Sequence, residues 1–422
     1  MEKEFVYFII MVGVFFVGCF ALKWQVSISM MAASITGLLI SGHGLAIRHL
    51  VEGAFGYIDT LLIIATAMIF MKTIQYAGTM EAFKFYVIKK FINSPRMILL
   101  AMTFVVMFPG MITGSSTAAV LSTGGLIAPV LITMGIPLVE TATIIAMAGM
   151  LGMLAPPVNV PVMIIGGGVD MPYAGFAIPL LVLAVPLAIF SSLYLGNKYL
   201  NKVKKEDLEK ELEKMEQHPL IVFLPVLVLV LLMIIPKMFP RVIPDLGLSL
   251  TFMIGAVSAL LITKKPNIEV TIREALTDAL PVLGILVGVG MFIQVMTLTG
   301  VRGFIVVESL SLPLVFRYLV LALSLPLFGA ISSYGSASVL GVPFLLAFIA
   351  KNQIITASAI SLIASLGDMM PPTALAGIFA AKVVGLTDYK PVLKKSLVPA
   401  LAFIIYGIAF IYFADRIASI LL

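Results

Sequence analysis

The chain is poor in charge: 11% of its 422 residues are Asp, Glu, Lys or Arg, against 61% hydrophobic. With a mean hydropathy of +1.15, this excludes an ordinary soluble globular protein. A single cysteine, Cys19, excludes an internal disulfide framework. Lysine and arginine are absent from Met97 to Gly196, where only Glu140 and Asp170 are acidic. That stretch is dotted with Gly, Ser, Thr and Pro, and polar groups at membrane depth must be satisfied by backbone, water or a ligand. Glu140, Asp170 and Asp59 sit near segment ends and are expected to face water. The net charge of +6 points to no nucleic-acid partner, because the basic residues lie in loops between apolar segments. Phospholipid head groups and topology account for them there.

What the chain has in abundance is apolar length, roughly ten to twelve segments able to span or enter a bilayer. Spans are expected at 5–22, 26–41 and 57–76, then a pair at 97–113 and 117–134, a broken span at 137–172 and one at 175–196. The second half repeats this with 219–236, 246–263, 279–298, a pair at 313–331 and 336–350, a broken span at 353–385, and 396–413. The predicted fold is an all-α polytopic membrane protein of about ten spans plus two re-entrant hairpins. Phe16-Val-Gly-Cys19 loosely resembles a lipoprotein cleavage site, but the leading Met-Glu-Lys-Glu is net acidic, so a first transmembrane span is expected instead.

Basic residues set the sides. With the N-terminus outside, the inside loops hold Lys23, Lys72, Lys84, Lys89, Lys90, Arg96, the lysines of 197–217, Lys264, Lys265, Arg273, Lys382, Lys390, Lys394 and Lys395. Both termini are therefore expected outside. Each half makes an odd number of crossings, which inverts the second copy relative to the first. The repeats are predicted over 1–196 and 218–422, joined by a charged cytoplasmic linker at 197–217. Its acids and bases alternate at helical spacing, which marks a solvated helix.

The two halves also share motifs. Residues 141–157 read TATIIAMAGMLGMLAPP and 356–372 read TASAISLIASLGDMMPP. Upstream of each stands a glycine followed by a small-polar cluster, Gly110-Met-Ile-Thr-Gly-Ser-Ser-Thr-Ala and Gly329-Ala-Ile-Ser-Ser-Tyr-Gly-Ser-Ala. A membrane protein of two such halves, each with a broken helix and a polar tip, is most often a secondary transporter. At the tips, Ser332, Ser333, Gly335 and Ser336 of the second copy stand at the place equivalent to Gly114, Ser115, Ser116 and Thr117 of the first. Glycine allows the tight turn and Ser or Thr caps the helix that follows. Such a helix start can hold an anion, and the hydroxyls and carbonyls of the turn can ligate Na⁺. Small-residue helix packing is the blander explanation of one cluster; its recurrence favours a site.

Pro156-Pro157 and Pro371-Pro372 interrupt their helices and free carbonyls suited to Na⁺, with Asn159 and Thr373 placed to add side-chain oxygens. A plain kink is the alternative for either pair alone. Asp368 falls inside the apolar run where the first copy has Met153. A buried carboxylate is costly unless paired, protonated or bound to a cation, so Asp368, with Ser115 and Ser116, is the prime candidate for Na⁺ or H⁺ coupling; the alternative is a structural partner for a hydroxyl or amide. No other cofactor is expected.

These residues resemble the large membrane subunit (DctM type) of tripartite ATP-independent periplasmic (TRAP) transporters, within the wider ion-transporter superfamily. The closest stretch is 108–168, where Gly110-x-x-Thr-Gly-Ser-Ser-x-Ala118, Ile127-x-Pro129, Gly135, Leu151-Gly152 and Pro156-Pro157 follow the family order. The second half matches more weakly, through Gly367, Pro371 and Pro372. The resemblance implies an elevator-type importer in the bacterial cytoplasmic (inner) membrane, with sodium driving uptake of a small organic acid such as a C4-dicarboxylate or sialic acid. It also implies a small membrane subunit and a periplasmic substrate-binding protein that makes the main carboxylate clamp. Two features depart from the family pattern: the serine-rich run Ser332–Ser338, and Val158 where a serine often follows the first Pro-Pro. They leave open a stand-alone carboxylate/cation symporter or antiporter of the same superfamily that needs no binding protein.

Two other classes compete. An intramembrane serine protease lacks a buried base, since His43, His49 and His218 lie outside the spans. An aspartyl type needs a second mid-membrane aspartate, and Asp59 sits near a span end. The chain is therefore expected not to be an enzyme. An ion channel would need a polar ring from several subunits, against which the inverted repeat argues for alternating access.

Overall fold

Prolines and short polar side chains decide where the helices of this chain begin and end. The computed structural model describes residues 2–202, 205–213, 215–216, 219–262 and 267–422. His218, Lys264, Lys265 and parts of the 197–217 linker lie outside the described residues. Among the described residues every regular element is a helix. The first half contains α1 (Glu2–Phe20), α2 (Val26–Ile40), α3 (Ile47–Phe55), α4 (Ile58–Tyr76), α5 (Thr79–Phe91) and α6 (Pro95–Thr113). It continues with α7 (Ser116–Ala119), a π-helical turn at Val120–Gly124, α8 (Gly125–Thr133), α9 (Leu138–Leu154), α10 (Val160–Gly167) and α11 (Ala177–Gly196). After α12 (Lys205–Glu213) come α13 (Leu224–Met238), α14 (Gly247–Ile262), α15 (Ile268–Leu298), α16 (Val301–Ser311) and α17 (Leu314–Gly329). The chain closes with α18 (Ser333–Ser336), a second π-helical turn at Ala337–Gly341, α19 (Val342–Ala347), α20 (Gln353–Ser365), α21 (Leu375–Val383), α22 (Lys390–Tyr412) and α23 (Ala414–Leu421). The series α6 to α11 thus recurs as α17 to α22, π-helical turns included.

Eight helical stretches among the described residues are long and apolar enough to cross a membrane, and shorter apolar helices accompany them. The chain is an all-α polytopic membrane protein. Its outward faces are apolar, as on α13, where Leu227, Val230, Leu231 and Ile234 are exposed; acyl chains, not water, suit such a surface. The centre is occupied by α9 and α20, which bury every residue from Glu140 to Leu154 and from Ile355 to Ser365. Their hydroxyls donate to nearby backbone carbonyls: Thr143 to Val139 at 2.7 Å and Ser358 to Ile354 at 2.8 Å.

Each central helix, or the turn that ends it, meets its hairpin at a pair of glycines. A Cβ on Gly152 would lie 2.4 Å from the Met107 carbonyl oxygen, and one on Gly110 would lie 2.8 Å from the Gly152 carbonyl carbon. In the second half, a Cβ on Gly367 would lie 2.4 Å from Gly329. Only glycine lets these backbones touch.

The structure departs from the expected spans in four respects. First, α15 begins at Ile268, not near 279, because the Asn267 side chain caps it, accepting from the Glu269 N–H at 3.1 Å. Its polar opening turns, with Glu269, Arg273, Glu274 and Asp278, hide it from a hydropathy reading. Second, α3, α5, α16 and α23 are helices that the apolar pattern did not mark, since they mix charged and apolar residues. Third, α12 in the linker is not wholly solvated: it rests on α5 and α8 and buries Leu208 completely. Fourth, Glu140 is 5% exposed and does not face water. It accepts from Lys395 of α22 at 2.9 Å and from the Tyr199 hydroxyl at 2.8 Å, so its burial is compensated by charge and hydrogen bonding. Asp59 and Asp170 are exposed, as expected.

Candidate functional site

The two hairpin tips are built alike. After α6 the chain turns at Gly114, whose φ of 65° lies in the left-handed region and whose Cβ, if present, would lie 2.5 Å from Val160. Ser115 then caps α7, its hydroxyl accepting from the Ala118 N–H at 3.2 Å. Ser332 does the same for α18, accepting from the Gly335 N–H at 3.3 Å. Ser116 and Ser333, one residue on, occupy equivalent first positions. The π-helical turn behind each tip is a device found often at functional sites.

Both tips converge on one carboxylate. Asp368 lies in a single 3₁₀ turn, Leu366–Met369, that follows α20. The Ser116 hydroxyl donates to Asp368, and the hydroxyl and amide of Ser333 face the same group. Asp368 is 6% exposed, and Ser116 and Ser333 are 2% exposed each. A third link joins the tips directly: the Tyr334 hydroxyl of the second donates to the Gly114 carbonyl of the first, at 2.8 Å. Residues far apart in sequence, from both halves, thus form one polar node in an apolar interior.

The two helix breaks differ. In both, the bond between the prolines is cis. At the first, Asn159 caps α10 through Oδ1, which accepts from the Val162 N–H at 2.9 Å. Its Nδ2 donates to the Leu154 carbonyl at 2.8 Å and to the Ser361 hydroxyl at 3.2 Å. The Val158 N–H is taken by the Met111 carbonyl at 3.1 Å. This break is sealed by its own side chains, with Pro156 buried and Pro157 half-buried. At the second, Pro371 and Pro372 are exposed, and the Thr373 hydroxyl donates to the Ala330 carbonyl.

Beside the node lies a cavity of about 640 Å³. Of the residues singled out in the sequence, Ser115, Ser116, Thr117, Ser332, Ser333 and Asp368 line it. The others do not. Gly114 gives its carbonyl to Tyr334, while Gly335 and Ser336 sit behind the second tip, where the Ser336 hydroxyl donates to the Leu325 carbonyl at 2.6 Å. Pro156, Pro157, Asn159, Pro371, Pro372 and Thr373 belong to the breaks, off the cavity wall.

A further part of the wall, from α4 and α15, was not anticipated. It contributes Lys72, Gln75 and Asp278 among apolar neighbours such as Met71, Val282 and Ile285. Lys72 does not lie in a loop; it lies within α4, 3.1 Å from Asp278 and 3.3 Å from Glu274. Its signal in the sequence is that no other lysine or arginine interrupts the apolar run 57–76. Tyr334 also escaped notice as a site residue, although it stands alone as a large side chain in a Ser/Gly run. Asp59, exposed in the first turn of α4, is not on the cavity wall, so it does not supply the second aspartate of a protease dyad there.

Comparison with known proteins places this architecture. The solved structure of the Alcanivorax borkumensis YdaH transporter is similar with a TM-score of 0.58 and 12% identity, over 86% of this chain and 87% of that one. Neisseria gonorrhoeae MtrF, described as illuminating a class of antimetabolite efflux pumps, is similar with a TM-score of 0.56 and 13% identity, over 88% and 84%. At such identities the likeness is one of fold. No curated protein matches the chain. The family of the tripartite ATP-independent periplasmic transporter, DctM component, matches residues 12–415, nearly the whole chain, and the chain belongs to that family.

Proposed function

We propose that this protein is the large membrane subunit of a sodium-driven importer for small organic acids, C4-dicarboxylates or sialic-acid-like carboxylates, working by an elevator movement. The observation that supports this best is the meeting of both hairpin tips at Asp368. A hard cation such as Na⁺ prefers oxygen donors, and the Asp368 carboxylate with the hydroxyls of Ser115, Ser116 and Ser333 supplies an all-oxygen set. A cation there neutralises a buried charge and holds the tips together; its departure loosens them, which couples ion gradient to substrate release. The hydroxyl-rich side of the adjacent cavity suits the oxygens of an organic acid. In this reading α6 to α11 and α17 to α22 move as one body against a scaffold that includes α4 and α15.

The same proposal takes 1–196 and 218–422 as inverted repeats joined by 197–217, in the bacterial inner membrane with both termini outside. A small membrane subunit and a periplasmic substrate-binding protein, as DctM membership implies, complete the system. The test is uptake of labelled carboxylates into proteoliposomes with and without an inward Na⁺ gradient, with the chain alone and with its two partners. Sodium-dependent uptake only with the partners is expected. Uptake by the chain alone would replace the tripartite reading with a self-sufficient transporter, and failure of every carboxylate in both settings would overturn the substrate class.

A further inference from the structure

The cavity has one cation on its wall. Among the residues that line it, Lys72 alone is basic. Its ammonium is held by Asp278 and Glu274, one helical turn apart on α15, and Glu274 also accepts from the Tyr76 hydroxyl. An ammonium carries three N–H donors, so two carboxylates leave one donor for the cavity. The tip hydroxyls and Asp368, which line the same cavity, offer no positive charge. An anion between the hairpins and the scaffold therefore finds a single opposite charge, and it belongs to the scaffold.

From this placement, and resting on the carboxylate-importer reading above, we infer that Lys72 is a specificity-determining residue that recognises the carboxylate of the substrate. The substrate site is split: the moving tips hold the body of the substrate through hydroxyls, and the stationary wall holds its charge. Asp278 and Glu274 are then competitors for the ammonium as well as its supports. They keep Lys72 charged and oriented when the cavity holds no anion, and they yield part of its hydrogen bonding when an anion arrives. This competition weakens binding and so favours release, because an arriving carboxylate must displace part of the hydrogen bonding that already holds the ammonium.

The competition separates this role from that of a plain stitch between α4 and α15. If Lys72 only joins the helices, Lys72→Gln and Asp278→Asn remove the same bond and harm transport in the same direction. If Lys72 recognises the anion, the two variants move KM in opposite directions. The experiment measures KM and kcat for a labelled carboxylate that the reconstituted wild-type system accumulates, in Lys72→Gln, Lys72→Arg and Asp278→Asn. Expected are a KM raised about tenfold in Lys72→Gln with kcat largely kept, as loss of a charge-assisted bond predicts, and a near-normal KM in Lys72→Arg. Asp278→Asn should lower KM by roughly two- to fivefold, the size of a partly exposed ion pair. KM shifts of the same sign in Lys72→Gln and Asp278→Asn overturn the inference and leave the importer standing. Should Lys72→Gln fail to fold, an unchanged or raised KM in Asp278→Asn is enough to overturn it. A wild-type system that accumulates no carboxylate removes the importer reading itself, and the inference with it.

Discussion

Tyr334 and Gly114 sit 220 residues apart in the chain, yet the hydroxyl of one donates to the carbonyl of the other across 2.8 Å. Both residues are buried, so the bond is shielded from water. Tyr334→Phe keeps the ring and leaves the Gly114 carbonyl without this donor. A loss of about 1–3 kcal/mol in stability is expected for such an orphaned group. Thermal unfolding of the purified variant measures the loss, and an unchanged melting temperature would mean that this bond adds nothing to the packing and the Asp368 contacts that also join the tips.

Asp368→Asn keeps the size of the side chain and removes its charge. Ser116 can still donate to the amide oxygen, so the variant is expected to insert and fold. Uptake is expected to be abolished or to lose its dependence on the sodium gradient. Normal uptake with wild-type sodium dependence would remove Asp368 from the coupling role.

The glycine contacts predict opposite effects at two kinds of site. Gly152→Ala and Gly367→Ala push a methyl to within 2.4 Å of backbone on the crossing helix, which should destabilise by about 1–3 kcal/mol. Gly125→Ala, where a Cβ meets nothing within 4 Å, should be neutral or stabilising by up to about 1 kcal/mol, because alanine favours the helix. Melting temperatures of the three variants decide the matter; similar losses in all three would refute the packing argument.

The C-terminal helix is pinned by a group that titrates. Asp415 accepts from the Asn352 N–H at 2.8 Å and from Lys351 at 3.2 Å, and these bonds hold its carboxyl below the usual aspartate range. The pinning is therefore present above the ordinary aspartate value of about 3.9 and is lost as pH falls through the lowered one. Amide exchange in α23, expressed relative to the intrinsic rate at each pH, should rise at acid pH in the wild type. In Asp415→Asn it should already be high at neutral pH, and identical pH profiles in the two proteins would contradict the assignment.

Much of this architecture was readable because polar or helix-breaking residues stand out against apolar runs. Asp368, the serine tips and the two Pro-Pro pairs are visible for that reason, and the structure gathers six of these residues around one cavity. What the sequence hid depends on approach in three dimensions. Asn159 reads as a free oxygen beside a break, but its amide is occupied by Leu154, Val162 and Ser361, and only the fold brings Ser361 there. Lys72 reads as a topological marker because loop counting assigns a lysine to a side of the membrane and not to a wall. Its partners on α15 lie 202 and 206 residues later, at the polar end of a helix whose start hydropathy cannot detect. Glu140 looked like a surface residue because its partner Lys395 comes from the other half.

The convergence on Asp368 also constrains how the protein can be made. Ser116 leaves the ribosome 252 residues before its partner, a delay of roughly 10–50 s at ordinary rates of synthesis. Until the second half follows, Gly114, Asn159 and Ser116 lack the partners Tyr334, Ser361 and Asp368 that the fold gives them. A chain halted before Tyr334 therefore lacks all three bonds, and the first tip acquires its full set of partners only from the second half.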